Sequence, residues 1–208
     1  MVRHGQTDFN LQGIVQGCGV NASINARGRL QAQAFFETFQ HIQFDRVYTS
    51  ELVRSQESVE GFLKRSIPWQ PMKALNEISW GYREGQRITP EEDAYYRSVL
   101  RQWQEGNTSL PIEGGQSPEE VAEQQRPFLN LIKARREDKT ILVCMHGRAM
   151  RILLCQMLNY PLRSMDMFEH ENLGLYLLNF NGSTFTIEAY NDTRHLQQLD
   201  TAAVVHKG

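Results

Sequence analysis

Apolar residues with two different spacings divide the chain into strand-like and helix-like segments. Residues 140–145 form a continuous apolar, partly β-branched run that predicts a buried strand, and residues 149–158 continue as an apolar helical run. Residues 28–42 place apolar side chains near helical spacing, and residues 44–49 predict a short strand after that helix. This alternation of strands and helices is typical of a mostly parallel sheet with helices on both faces.

The last strong pattern is a pair of strands joined by a tight turn. Residues 174–180 and 183–190 flank Asn181-Gly182, a dipeptide that favours a two-residue hairpin. We therefore predict a three-layer α/β/α fold with a mostly parallel central sheet, one antiparallel edge strand and a small helical cap insertion.

Helix N-cap residues and one segment rich in proline and glycine complete the predicted order of elements. Ser50 is a candidate N-cap for a helix that extends to about residue 64, and residues 67–90 carry the prolines and glycines of a long irregular segment. Residues 91–105 predict a charged helix that covers the site, and Ser117-Pro118-Glu119-Glu120 is a strong start for a helix that ends near residue 135. We predict one domain over residues 1–196, a cap insertion at about 86–113 and a polar tail over residues 197–208.

Composition limits the possible partners and compartment. The chain has 208 residues and a formal charge of −2, so nothing global attracts nucleic acid or an anionic membrane. It contains no apolar run of the roughly 20 residues that span a bilayer. Its three cysteines form no CxxC pair and indicate reduced thiols, which favours a cytoplasmic protein, either monomer or homodimer.

A histidine directly before a glycine marks two places where strand pattern gives way to helix pattern. These are His4-Gly5, after Arg3, and His146-Gly147. Only three residues precede His4, so we expect that residues upstream of Met1 are missing. Since ligands of parallel α/β sheets sit at the carboxyl ends of strands, the two imidazoles would share a pocket, which suggests phosphate chemistry.

Three side-chain types in this pattern suit phosphoryl transfer. A neutral His4 is a competent nucleophile, and Arg3 and Arg54 offer planar forks for phosphoryl oxygens. A partly desolvated carboxyl with a raised pKa could protonate a leaving alkoxide, for which Glu77 and Glu84 compete. The chain has no HExxH, HxH or paired Cys/His spacing, so we expect no metal site, and it has no GxxxxGK[ST] phosphate loop.

The order of these motifs along the chain resembles the histidine phosphatase superfamily. The resemblance is to the phosphoglycerate-mutase-like group, in its phosphatase-type branch, and covers nearly the whole chain. The matching elements are Arg3-His4-Gly5-x-Thr7, Asn10, Gln16-Gly17, Gly28 with Gln31-Ala32, Ser50-x-Leu52-x-Arg54, Leu75-x-Glu77, Glu84-Gly85, Gly114-Gly115-x-Ser117, His146-Gly147 and Asn191 with His195-Leu196.

The resemblance implies a role for each matching residue. His4 would become the phosphohistidine and Glu77 would be the acid and base. The implied phosphate pocket consists of Arg3, Asn10, Arg54, His146 and Gly147. Possible substrate contacts are Gln16, Gly17, Glu84 and Arg87. The family mechanism needs no metal or organic cofactor.

Departures from the family pattern bear on the substrate and reaction. Residues 21–25 replace the usual Asp-x-Pro-Leu-Thr, and Gly115-Gln116-Ser117 replaces Gly-Glu-Ser. Only about thirty residues separate Gly85 from Gly115, which is short for the mutase branch and favours hydrolysis. We therefore expect a metal-independent phosphomonoesterase acting on small phosphorylated metabolites. The alternatives are a cofactor-dependent phosphoglycerate mutase and a non-catalytic phosphate-ligand-binding protein.

Overall fold

Within residues 1–87 and 89–199, which the computed structural model describes, six strands form one mixed sheet. Their spatial order is β3-β2-β4-β1-β5-β6. The strands are β1 (Val2–Arg3), β2 (Arg46–Thr49), β3 (Trp69–Pro71), β4 (Ile141–Met145), β5 (Leu175–Phe180) and β6 (Phe185–Asp192). Residues 200–208 of the predicted tail lie outside the described residues, as does residue 88 of the predicted cap insertion.

The sheet is mostly parallel, as predicted. β2 pairs in parallel with β3 and β4, and β1 pairs in parallel with β4. β5 is antiparallel to both β1 and β6. The antiparallel strand β5 is not the edge strand that was predicted. The hairpin through Gly182 (φ +96°) adds β6 outside it, so β5 lies one place in from the edge.

Helices cover both faces of the sheet. They are α1 (Asp8–Gln12), α2 (Ala26–Phe39), α3 (Val53–Ser58), α4 (Glu60–Leu63), α5 (Pro90–Glu105), α6 (Pro118–Ala134) and α7 (Gly147–Leu158). The predicted capping box of α6 is present: the Ser117 side chain accepts from the Glu120 N–H, and the Glu120 carboxylate accepts from the Ser117 N–H.

Two local predictions were wrong. The expected helix from Ser50 to about residue 64 is two short helices, α3 and α4, separated at Val59 (φ −122°). Ser50 caps neither helix, because its hydroxyl is used by the site described below. The irregular segment 67–90 contains β3, a short edge strand whose exposed residues lack the apolar alternation that would predict it.

Alternating residues of the central strand β4 separate two apolar clusters. Val143 and Met145 belong to the cluster with α5, α6 and α7, whereas Leu142 and Cys144 belong to the cluster with α2 and α4. This alternation is the sequence basis of the three layers.

The helix α5 packs against the first of these clusters. Trp103 is fully buried there, and the Trp80 ring lies 6.1 Å from it and 5.3 Å from that of Tyr96, centroid to centroid. These aromatic side chains therefore form the contact between α5 and the segment that carries Trp80. No described helix is long and apolar enough to cross a membrane.

Candidate active site

The parallel pairing of β1 with β4 brings the two His-Gly turns together. Arg3 is opposite Met145 in the register, and the His4 N–H donates to the Met145 carbonyl at 2.9 Å. The His4 and His146 rings are both buried, with centroids 5.1 Å apart. The predicted convergence of the two imidazoles is therefore observed.

The backbone holds His4 in one tautomer. Its Nδ1 lies 2.7 Å from the Gly5 carbonyl, which can only accept, so Nδ1 carries the proton and Nε2 has the free lone pair. Burial, and then the charges of Arg3 and Arg54, lower the pKa of His4 well below its usual value. His4 is thus neutral near pH 7, with a nucleophilic nitrogen available.

Arg54, the second residue of α3, is a buried cation that is hydrogen-bonded to a neighbouring loop. Nη1 donates to the Val20 carbonyl at 2.6 Å, Nη2 to the Gly17 carbonyl at 3.1 Å and Nε to His146 Nδ1 at 3.1 Å. Burial lowers its pKa to about 10, so it remains charged at neutral pH. A guanidinium has five N–H groups, so two remain for a phosphoryl group.

Arg3 supplies a second cation to the same locus. Its Nη1 donates to the His170 carbonyl at 3.0 Å, and its buried Nε has no hydrogen-bond partner among the described residues. Burial lowers its pKa to about 10, opposed by the nearby charge of Glu77. Two buried guanidinium groups near two neutral imidazoles give the site a net attraction for an anion.

Both ring nitrogens of His146 are bonded to protein groups. Nδ1 accepts from Arg54, and Nε2 lies 2.7 Å from the Ser50 hydroxyl. Burial, followed by the charge of Arg54, lowers the pKa of His146 well below its usual value. His146 is therefore neutral in this structure, and it contacts Arg54 rather than presenting a free N–H.

Gly147 begins α7 directly beside His170. A Cβ at Gly147 would lie 3.0 Å from His170 Nε2, so the absence of a side chain lets the two segments approach. No group of three or more His, Cys, Asp or Glu side chains within the described residues could hold a metal ion.

Glu77 lies at the N-terminus of α7. Its Oε1 accepts from the N–H groups of Ile78 at 3.0 Å and Ala149 at 2.8 Å, and its Oε2 accepts from that of Arg148 at 3.1 Å. The side chain is 6% exposed. A helix N-terminus favours a carboxylate in this position, so Glu77 is held firmly at the same strand edge as the two histidines.

Asn10 is oriented by two donors. Its Oδ1 accepts from the Thr7 N–H at 3.1 Å, as part of the α1 capping box, and from Asn172 Nδ2 at 3.4 Å. Its own amide donors thus point away from these partners. Thr7 also donates from its hydroxyl to Gln16 Oε1 at 3.1 Å, which brings Gln16 to the same turn.

Glu84 holds a loop rather than facing the two histidines. Oε2 accepts from the Gly19 N–H at 2.7 Å and Oε1 from the Trp80 N–H at 2.9 Å. Arg87 is exposed, and its backbone forms an isolated bridge with Ile14. The structure therefore gives Glu84 a backbone-anchoring position and leaves Arg87 at the surface.

Three residues around the site were missed as site residues by sequence reasoning. Ser50 was predicted to be a helix cap, and His170 was not among the predicted site residues. Asn172, which donates to the His4 carbonyl at 2.9 Å, carried no local signal. Each is recognisable only by a contact between segments distant in sequence.

Comparison with known proteins finds similarity over nearly the whole chain. A model of the histidine phosphatase superfamily (branch 1) matches residues 1–193. The adenosylcobalamin/alpha-ribazole phosphatase of Salmonella typhimurium is 26% identical over 175 residues, covering 82% of this chain and 84% of that protein. The 2,3-bisphosphoglycerate-dependent phosphoglycerate mutase 2 of Gloeobacter violaceus is 27% identical over 163 residues, covering 76% and 74%.

A solved structure agrees with the fold. The alpha-ribazole phosphatase from Shigella flexneri superposes with a TM-score of 0.81 at 25% identity, over 92% of this chain and 94% of that one. The α/β architecture predicted from the apolar pattern is thereby confirmed.

Proposed function

The chain belongs to branch 1 of the histidine phosphatase superfamily, and from this premise we propose that it is a phosphomonoesterase working through a phosphohistidine on His4. The resemblance drawn from the ordered motifs is confirmed. The proposed substrates are small phosphorylated metabolites, and the proposed reaction needs no metal ion. A cytoplasmic location is part of the proposal and is supported by three free cysteines.

One observation carries the proposal. The Gly5 carbonyl fixes the proton of His4 on Nδ1, so the Nε2 lone pair is available in a site that contains the guanidinium groups of Arg3 and Arg54. A neutral nucleophile beside two fixed cations is what displacement at a phosphoryl dianion requires.

In the first half of the proposed reaction, His4 Nε2 attacks phosphorus and the P–O bond to the alcohol breaks. Arg3 and Arg54 stabilise the charge on the equatorial oxygens, and Asn10 can donate a further hydrogen bond. The leaving oxygen takes a proton from Glu77. Because Glu77 Oε1 already accepts two N–H groups and Oε2 only one, Oε2 is the atom we assign to carry this proton.

In the second half, water attacks the phosphohistidine. Glu77 Oε2 takes the proton from this water, the N–P bond breaks and inorganic phosphate leaves with His4 neutral again. Glu77 thus returns to its protonated form for the next cycle.

The test is release of inorganic phosphate from 4-nitrophenyl phosphate in excess chelator. We expect wild-type protein to turn over steadily and His4→Ala to be inactive with its fold retained. Quenching in alkaline SDS after mixing with 32P-labelled substrate should retain a protein-bound label in the wild type only, and this label should be released by acid. Loss of turnover in chelator, or turnover by His4→Ala, would contradict the proposal.

A phosphoglycerate mutase is the second candidate, favoured by the 27% identity to such an enzyme. A mutase retains its phosphohistidine and needs priming by a bisphosphate, whereas a phosphatase releases phosphate without priming. Incubation with 3-phosphoglycerate, with and without the bisphosphate, separates the two. We expect phosphate release that is independent of the bisphosphate.

A further inference from the structure

A chain of hydrogen bonds connects Arg54 to two buried hydroxyl groups through His146. Nε of Arg54 lies 3.1 Å from His146 Nδ1, and His146 Nε2 lies 2.7 Å from Ser50 Oγ. Ser50 Oγ is in turn 2.7 Å from Ser55 Oγ, which lies 2.8 Å from the Leu52 carbonyl. His146, Ser50, Ser55 and Arg54 are each fully buried.

The direction of every bond in this chain follows from its two ends. A guanidinium can only donate, so His146 Nδ1 must be a lone pair. A neutral imidazole with a lone pair on Nδ1 carries its proton on Nε2, and this proton goes to Ser50 Oγ.

The hydrogen bond between the two serines runs from Ser50 to Ser55. The Ser50 oxygen also accepts from the Leu52 N–H at 3.1 Å, so both of its acceptor positions are filled and its own proton goes to Ser55 Oγ. The proton of Ser55 then points at the Leu52 carbonyl, which is an obligate acceptor. The reverse direction would require His146 to accept at both nitrogens, which a neutral imidazole cannot do.

We propose that Ser50, supported by Ser55, is a positioning residue that fixes His146 as the Nε2–H tautomer and thereby orients Arg54 toward the phosphoryl group. The inference rests on the proposed function for its catalytic consequence. His146 Nδ1 holds Arg54 Nε, while the Gly17 and Val20 carbonyls hold the other two nitrogens. With three fixed points, the guanidinium plane is set before substrate binds.

Removal of the Ser50 hydroxyl leaves the Nε2–H of a buried imidazole without an acceptor. The ring can then move its proton to Nδ1, where it opposes the Nε–H of Arg54 and releases that guanidinium. We expect Ser50→Ala to lower kcat/KM by about 10- to 100-fold, the scale seen when hydrogen-bond partners that orient functional side chains are removed. Ser55→Ala keeps the His146–Ser50 bond and should cost only about fivefold.

The deciding experiment measures the tautomer directly in the full-length protein. Long-range 1H–15N correlation of the imidazole nitrogens, with His146 assigned by its disappearance in His146→Gln, should show Nδ1 unprotonated and Nε2 protonated. In Ser50→Ala this pattern should shift toward the other tautomer, whereas the surface control Ser98→Ala should leave both tautomer and kcat/KM unchanged.

Two outcomes would overturn the proposal. A wild-type His146 protonated at Nδ1 would overturn it without any variant, so misfolding of Ser50→Ala cannot protect it. An unchanged tautomer with unchanged kcat/KM in Ser50→Ala would overturn it as well. By contrast, a wild-type protein with the predicted tautomer and no phosphatase turnover would contradict the proposed function and leave the tautomer assignment standing.

Discussion

The backbone of Gly17 lies so close to the carboxylate of Glu84 that a Cβ on Gly17 would sit 2.1 Å from Oε1. Glu84 thus fills the space that a side chain at residue 17 would need, while its Oε2 accepts from the Gly19 N–H. The carbonyls of Gly17 and Val20 accept from Arg54. One carboxylate therefore supports the loop that supports a buried arginine of the site.

Replacement of Glu84 by alanine should loosen this loop. Its two backbone donors lose their acceptor, so we expect the free energy of unfolding to fall by about 1–3 kcal/mol and KM to rise as Arg54 loses support. Urea unfolding and steady-state kinetics measure the two effects. Glu105→Ala, at an exposed position of α5, is the control and should change neither. A Glu84→Ala protein with wild-type stability would contradict the anchoring role.

Glu77→Gln should separate the two halves of the proposed reaction. A nitrophenolate leaves without a proton, so 4-nitrophenyl phosphate should give a burst of about one equivalent followed by slow turnover, with phosphohistidine accumulating. An alkyl phosphate should show no burst, and its kcat should fall by about 10²- to 10⁴-fold. Rapid quench and stopped flow measure both. Glu84→Gln, the competing carboxyl, should show neither behaviour, and a reversal of the two variants would assign the acid to Glu84.

Asp166→Asn should destabilise the contact between α7 and the segment Leu162–Met167, which carries Asp166. Asp166 Oδ1 lies 2.5 Å from Arg148 Nη1 and 2.6 Å from Arg151 Nη1, and these arginine side chains are 8% and 18% exposed. Removal of the shared carboxylate leaves two poorly solvated cations, for which we expect a loss of about 2–3 kcal/mol. Asp93→Asn, which breaks an exposed pair with Arg97, should cost less than about 1 kcal/mol.

The stability difference between wild type and Asp166→Asn should also depend on pH. Burial alone would raise the pKa of Asp166, but the charges and hydrogen bonds of Arg148 and Arg151 together lower it below its usual value. The stabilising effect is therefore present above the unfolded value of 3.8 and is lost as the pH falls through the lower folded pKa. The stability difference between wild type and Asp166→Asn should shrink in that acid range, and a constant difference would count against the ion pairs as its source.

Protonation of His195 should lower the stability of the protein in mild acid. The His195 ring packs edge-on against Phe35 and Phe39, with centroids 5.4 and 5.5 Å away, and burial lowers its pKa below 6.5. The unfolded chain binds the proton more tightly, so stability is full above pH 6.5 and falls below it, by up to about 1.4 kcal/mol per pH unit. Chemical unfolding at pH 7.5 and 5.5 should show a smaller decrease for His195→Phe than for wild type. The exposed His41→Gln is the control, and an equal decrease in all three proteins would contradict the prediction.

The sequence could predict those parts of the fold that depend on neighbours along the chain. The apolar run of β4, the capping box at Ser117 and the hairpin at Asn181-Gly182 each involve residues within a few positions, and all three are observed. β3 escaped prediction because a short exposed edge strand carries little apolar pattern. The break between α3 and α4 at Val59 also escaped prediction, because position 59 is neither glycine nor proline.

By itself the sequence determined that a strand pattern gives way to a helix pattern at each His-Gly pair, and that His4, Arg3 and Arg54 have the chemistry for phosphoryl transfer, because these are local properties. Only the tertiary structure decided which atoms meet. In the folded protein the two ring nitrogens of His146 are hydrogen-bonded to Arg54 and Ser50, and both carboxylate oxygens of Glu84 accept from backbone N–H groups. These partners are 65 to 96 residues apart, apart from the Trp80–Glu84 contact. A side chain's hydrogen-bond partner depends on how distant segments pack, and no local pattern along the chain records that geometry.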